Sequence, residues 1–144
     1  LYYALDVALD RYAAEGPANV WARHERNTRA ILAATEAMGL RPFAEPGVRS
    51  VTVTAIHVPE GVDGDAIRKA LRIEHGYVLG GGQGKLAGKI IRIGTMGDIS
   101  QTDVVGMLGA LEMKLLGAGF GVQAGSAQQA ALRVFLEAGQ AVPA

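Results

Sequence analysis

The fold is decided by the stretch Val51-Thr52-Val53-Thr54-Ala55-Ile56-His57-Val58, which is rich in β-branched residues and partly alternates apolar with polar side chains. This pattern predicts a β-strand, and Pro59-Glu60-Gly61 ends it because proline and glycine interrupt strand pairing. Two more strands are predicted downstream, a short one over residues 77–79 and a third over Lys89–Gly94. The glycine-rich residues 80–88 separate them.

Helical patterns surround these strands. The first helix ends at Gly16-Pro17, because glycine suits a helix C-terminus and proline cannot continue the hydrogen-bonded ladder. The other helices are predicted to begin at the capping residues Asn19, Asp63, Ser100 and Ser126. The resulting order α, α, β, α, β, β, α, α predicts an α+β fold, a two-layer sandwich of a small, mostly antiparallel sheet covered by helices.

Composition limits the possible function classes. The 144 residues fit one domain, and Lys plus Arg balance Asp plus Glu at 14 each, so no basic excess favours nucleic acid as a partner. Cysteine is absent, which excludes disulfides and thiolate chemistry and fits a cytoplasmic location. No apolar run approaches the roughly 20 residues of a membrane span, so no membrane association is expected.

The first residues already show helical spacing without a capping residue before them. We therefore expect residues 1–16 to be a helix that continues from a preceding large domain, with residues 1–144 forming a small C-terminal domain of a longer polypeptide.

The glycine-rich segment does not have the spacing of a nucleotide-binding loop. Gly84-Lys85 lacks the glycine five residues earlier and the Ser or Thr that a phosphate-binding loop requires, and a strand follows where a helix should begin. The histidines lie on three different predicted elements without metal-ligand spacing: His24, His57 and His75. The sequence thus predicts neither a phosphate site nor a metal site.

Arg92 is the candidate ligand-binding residue, since it interrupts the apolar run Ile90-Ile91-Arg92-Ile93 in the middle of a strand. A guanidinium is always charged and needs a carboxylate of the protein, an anionic ligand or solvent. Its planar fork matches a carboxylate group in a bidentate manner. Spacing alone leaves open whether Arg92 binds a ligand or lies on a solvent-exposed strand face.

The motif Arg92-Ile93-Gly94-Thr95-Met96-Gly97-Asp98-Ile99 resembles the small-domain signature of class V aminotransferases of fold type I, in the alanine–glyoxylate and serine–glyoxylate group. Other ordered segments are similar to the same family, namely Trp21-Ala22-Arg23-His24, Thr52-Val53-Thr54-Ala55, Val58-Pro59-Glu60-Gly61, and Gly81-Gly82-Gln83-Gly84 with Gly88-Lys89. The resemblance covers nearly the whole chain. One departure is Thr95, where the family often has histidine.

The resemblance implies a pyridoxal 5′-phosphate enzyme that moves an amino group from alanine, serine or a similar donor to glyoxylate or another 2-oxo acid, and that forms a homodimer. It implies that Arg92 pairs with the substrate carboxylate and that Gly81, Gly82 and Gln83 form the rim of the active site. The Schiff-base lysine and the cofactor ligands would belong to the large domain, so this segment alone should be inactive.

Two other readings remain open from the residues themselves. The chain could be a stand-alone α+β module that binds a small carboxylate without chemistry, or a structural domain in which Arg92 is solvated or pairs with an internal acid. A carboxylate of this chain bound to Arg92 would favour the structural domain.

Overall fold

A computed structural model describes residues 1–140 of the chain, which form five α-helices, one 3-10 turn and three β-strands. In chain order these elements are α1 (Tyr2–Glu15), α2 (Pro17–Ala37), β1 (Val53–His57), α3 (Gly64–His75), β2 (Gly80–Gly81), the 3-10 turn (Gly84–Leu86), β3 (Ile90–Gly94), α4 (Gln101–Gly117) and α5 (Ser126–Gln140). The predicted α+β class and the order of its helices and strands are confirmed.

The three strands form one antiparallel sheet in the order β1-β3-β2, so β3 is the central strand. Its register places Arg92 between Ala55 of β1 and Gly80 of β2. Side chains alternate between the two faces of a strand, and directly paired residues share a face. Arg92, Ala55 and Gly80 therefore lie on one face of the sheet, while Ile91 and Ile93 lie on the other.

The face that carries Ile91 and Ile93 packs against the helices. These two residues and Ile56 of β1 belong to one buried apolar cluster together with residues of all four helices from α2 to α5. Leu108 and Leu111 of α4 are among its fully buried members. The core therefore lies between the helices and one face of the sheet, and Arg92 lies on the opposite face.

Capping residues set two of the helix starts as predicted. The Asp63 side chain accepts hydrogen bonds from the amides of Asp65 and Ala66 at the start of α3. Ser100 and Asp103 form a reciprocal capping box at the start of α4, with each side chain accepting the other residue's backbone N–H. The capping box at Ser100 fixes the end of the loop that follows β3.

Two predicted boundaries are wrong. The second strand is formed by Gly80 and Gly81 rather than by residues 77–79, because only the glycines pair with β3. Helix α2 begins at Pro17 and not after a cap at Asn19, whose side-chain Nδ2 instead donates to the Glu15 carbonyl at 2.8 Å. Proline is favoured at the first position of a helix, where its missing N–H leaves no hydrogen bond unmade.

Among residues 1–140, no helix combines the length and the apolar character needed to cross a membrane.

Candidate functional site

Arg92 lies at the centre of the sheet face that points away from the core. Its neighbours on this face are small, Ala55 on one side and Gly80 on the other, so its long side chain can lie along the sheet surface. An ideal Cβ built on Gly80 would come within 3.3 Å of both Cβ and Nε of Arg92. The arginine side chain thus covers Gly80 directly, and the side chain is partly buried as a result.

One hydrogen bond fixes the orientation of the Arg92 guanidinium. Its Nε donates to the carbonyl of Gly81 at 2.8 Å. Within the described part of the chain, Nη1 and Nη2 have no hydrogen-bond partner, and no carboxylate lies within 4.0 Å of the group. The two terminal nitrogens therefore remain available as paired donors to a planar anion.

The glycines of β2 allow two arginines to approach from opposite faces. On the core side, Arg68 of α3 donates from Nε to the Leu79 carbonyl at 3.0 Å, and its Nη1 would lie 2.6 Å from a Cβ on Gly81. On the outer side, Arg92 covers Gly80. A Cβ on Gly81 would overlap the Arg68 guanidinium, and a Cβ on Gly80 would crowd the Arg92 side chain, so packing favours glycine at both positions.

The three predicted rim residues run from β2 into the 3-10 turn, and Gly81 pairs with Ile91 of β3 beside Arg92. Gly81 contacts it directly through its carbonyl, and the Gly82 amide continues the pairing by donating to the Ile90 carbonyl at 3.2 Å. A Cβ on Gly82 would overlap the carbonyl of Leu86, so this position requires glycine. Gln83 is exposed and precedes the 3-10 turn. Of the three, the structure brings only Gly81 into contact with the guanidinium.

The loop after β3 is tied to helix α2. The Arg23 guanidinium donates from Nη1 to the Gly97 carbonyl at 2.7 Å, and the Asn27 side-chain amide donates to the Ile99 carbonyl at 3.0 Å. Thr95, the position that departs from the family pattern, is only 2% exposed, and its amide donates to the Thr52 carbonyl at 2.9 Å. These contacts fix the path of the chain that leaves the arginine strand.

The same Arg23 guanidinium also holds the end of α1. Its Nε and Nη2 donate to the two carboxylate oxygens of Glu15, each at 2.6 Å. These hydrogen bonds hold the pKa of Glu15 below its ordinary value. Sequence reasoning assigned Arg23 only to a helix motif, because its partners lie 8 and 74 positions away and no spacing rule connects them.

The three histidines lie on α2, β1 and α3. His24 is buried in α2, where its Nδ1 contacts the Val20 carbonyl at 2.7 Å, and His57 packs its ring against Phe43 with centroids 5.3 Å apart. Burial, aided by the charge of Arg41, lowers the pKa of His57. Over the described residues, no group of three or more metal-binding side chains is close enough to hold an ion.

Most of this chain aligns with part of the sequence of several aminotransferases. It is 45% identical over 123 residues to an uncharacterized aminotransferase of Methanocaldococcus jannaschii. This alignment covers 85% of this chain and 32% of the relative. It is 38% identical over 141 residues to the (S)-ureidoglycine–glyoxylate transaminase of Bacillus subtilis. This alignment covers 97% of this chain and 34% of that protein. The chain is homologous to part of an aminotransferase. No family model matches it.

Solved structures of aminotransferases share the fold as well. The crystal structure of the ureidoglycine–glyoxylate aminotransferase from Bacillus subtilis superposes with a TM-score of 0.90 at 38% identity, over 93% of this chain and 35% of that one. The pyridoxamine–pyruvate aminotransferase from Mesorhizobium loti gives a TM-score of 0.87 at 40% identity, over the same shares.

The chain spans about a third of the length of the aminotransferases it matches. This extent is consistent with the C-terminal small domain of a class V aminotransferase, and the resemblance seen in the sequence is confirmed.

Proposed function

We propose that this chain is the C-terminal small domain of a pyridoxal 5′-phosphate-dependent aminotransferase and that Arg92 binds the carboxylate of its substrates. The enzyme would transfer an amino group from alanine, serine or a similar donor to glyoxylate or another 2-oxo acid. The observation that carries the proposal is the Arg92 guanidinium, whose Nε is held by the Gly81 carbonyl while both terminal nitrogens lack a partner in residues 1–140. The aminotransferase relatives support the reaction class.

The geometry explains how Arg92 would work. Because Nε is already engaged, a carboxylate would be bound end-on by Nη1 and Nη2, through two parallel charge-assisted hydrogen bonds. Two such bonds fix both the position and the plane of the carboxylate, and hence the direction of the amino-bearing carbon. The backbone hydrogen bond to Gly81 orients the guanidinium before substrate arrives, so less conformational freedom is lost on binding.

The residues of this chain do not fit the role of the cofactor lysine. Lys69, Lys85 and Lys89 are exposed, and Lys114 pairs with Glu74. When bound, pyridoxal phosphate supplies an electron sink for breaking bonds at the amino-bearing carbon. We place its binding residues in a large domain from which residues 1–16 continue as a helix, so that this segment alone is inactive and the complete enzyme is a cytoplasmic homodimer.

Substitution of Arg92 in the complete enzyme tests the proposal. Loss of a charge-assisted contact worth about 1.5–3 kcal/mol should raise the KM for the amino acid in Arg92→Ala by roughly ten- to hundredfold. Arg92→Lys keeps the charge but loses the planar fork, and a smaller increase is expected. Arg72→Ala, an exposed arginine of α3, is the matched control. An unchanged KM in Arg92→Ala would remove Arg92 from the substrate site.

A second measurement separates the enzyme from the carboxylate-binding module. The native protein should have a mass well above the 15.0 kDa of this chain and should show the absorbance of bound pyridoxal phosphate. A native 15.0 kDa protein without that absorbance would favour the module. The structural reading with an internal acid is not supported, since no carboxylate in the described residues lies within 4.0 Å of Arg92.

A further inference from the structure

We infer that Arg23 is a positioning residue that sets the orientation of helix α1 relative to the sheet carrying Arg92. This inference rests on the proposed function, since it concerns how Arg92 is presented to substrate. All three nitrogens of one guanidinium are used: two bind the Glu15 carboxylate at the end of α1, and the third binds the Gly97 carbonyl in the loop after β3.

Helix α1 has little else to hold it. None of its residues is buried, and an open groove separates it from α2 and the loop after β3, with Tyr12, Val20 and Met96 among the lining residues. It meets α2 at Gly16, whose φ of 84° is accessible to glycine and strained for other residues. The orientation of α1 therefore depends on polar contacts across this junction more than on core packing.

Those contacts converge on the loop that follows the arginine strand. Besides the link from Glu15 through Arg23 to Gly97, the Arg11 guanidinium of α1 contacts the Asp98 carboxylate at 3.3 Å. The Arg11–Asp98 pair is exposed and contributes little. The Arg23 side chain is only 20% exposed and its pairing with Glu15 is bidentate, so this link is the stronger of the two.

In the proposed enzyme α1 continues from the large domain, and substrate would be held between that domain and Arg92. The angle between α1 and the sheet then determines how far the Arg92 guanidinium lies from the substrate carboxylate. Displacements of about 1 Å at a binding group are enough to change the rate or affinity strongly. Arg23 would thus affect substrate binding without touching the substrate, by acting through Arg92.

A double-mutant cycle in the complete enzyme tests this role. Arg23→Ala should raise the KM for the amino acid at least about threefold, and the increase should disappear when Arg92 is already alanine, because coupled residues are not additive. Glu15→Gln should raise KM in the same direction and should add nothing to Arg23→Ala. Glu25→Gln, an exposed carboxylate of α2, is the control and should leave KM unchanged.

The outcomes distinguish this inference from the proposed function. If Arg92→Ala raises KM while Arg23→Ala and Glu15→Gln do not, only the positioning role is overturned. An equal effect of Arg23→Ala with and without Arg92 also overturns it, since Arg23 would then act by another route. If Arg92→Ala itself leaves KM unchanged, the proposed function fails and the positioning role fails with it. Should Arg23→Ala not fold, the Glu15→Gln cycle with Arg92→Ala decides alone.

Discussion

Gly80 and Arg92 face each other across β2 and β3, and the arginine side chain lies over the α-carbon of the glycine. A methyl group at Gly80 would be 3.3 Å from Cβ and Nε of Arg92 and 3.4 Å from Nη2. The two contacts at 3.3 Å are tighter than most Cβ contacts, so the Arg92 side chain would have to move by a few tenths of an ångström. The absence of a side chain at position 80 is therefore part of how Arg92 is placed.

Gly80→Ala should impair substrate binding more than it impairs folding. The shifted Arg92 would present its terminal nitrogens less well, and we expect the KM of the complete enzyme for its amino acid to rise about threefold or more. Gly94→Ala lies on the same sheet face with nothing within 4 Å of the added methyl, and it should leave KM unchanged. Equal KM values for the two variants would argue against this role of Gly80.

Gly82→Ala should destabilise the fold itself. Its methyl group would overlap the Leu86 carbonyl and lie 3.1 Å from Cγ1 of Ile90, and a backbone group cannot yield as a side chain can. We expect a loss of at least about 1–3 kcal/mol in the free energy of unfolding, measured by urea denaturation. Gly117→Ala has no atom within 4 Å and should be neutral or stabilising. A Gly82→Ala midpoint equal to that of the parent protein would contradict the predicted clash.

Glu112→Ala should also be strongly destabilising. This glutamate of α4 is 3% exposed, and its carboxylate accepts hydrogen bonds from the Gly125 amide, the Ser126 hydroxyl and the Ala127 amide at 2.8–2.9 Å. It thereby caps the start of α5. Each buried donor left without an acceptor costs about 1–3 kcal/mol, and thermal denaturation would show a lowered Tm.

The matched control for Glu112 is Glu137→Ala, an exposed position on α5. A surface change of this kind is expected to alter the free energy of unfolding by no more than about 0.5 kcal/mol. If both glutamate variants melted at the same temperature, Glu112 would not be an essential cap.

His57 should make the protein less stable as the solution becomes mildly acidic. Burial and the nearby Arg41 lower the pKa of His57 in the folded state below its ordinary 6.5, so the unfolded chain takes up the proton first. Stability is therefore full above about pH 6.5 and falls as pH drops from there through the folded-state pKa. His57→Gln should flatten the unfolding free energy in that window, and an unaltered pH profile would exclude His57 as its cause.

Local signals in the sequence were sufficient for several elements. The β-branched pattern predicted β1, and the caps Asp63 and Ser100 predicted the starts of α3 and α4, because each depends on neighbours within a few residues. The sequence also predicted that Arg92 lies within an apolar strand. Its alternation with Ile91 and Ile93 places it on the face opposite the core, as the structure shows.

Contacts between distant segments could not be read in this way. Gly80 and Gly81 have low intrinsic strand propensity, yet they form β2 by pairing with Arg92 and Ile91 of β3, and the Arg92 and Arg68 side chains lie over them. The bonds of Arg23 to Glu15 and Gly97 and of Glu112 to the start of α5 likewise join residues that only the tertiary fold brings together.

Helix α1 has no buried side chain, so its backbone hydrogen bonds can break without disruption of the core. Helix α2 contributes Ile31 and Ala34 to the core, whereas α1 contributes no buried side chain and can fray without opening the core. In hydrogen–deuterium exchange, the amides of α1 should therefore exchange through local opening, well before those of α2, which require disruption of the core. Slow amide exchange in α1 would indicate that another surface covers its exposed tyrosines and leucines, such as Tyr2, Tyr3, Leu5 and Leu9.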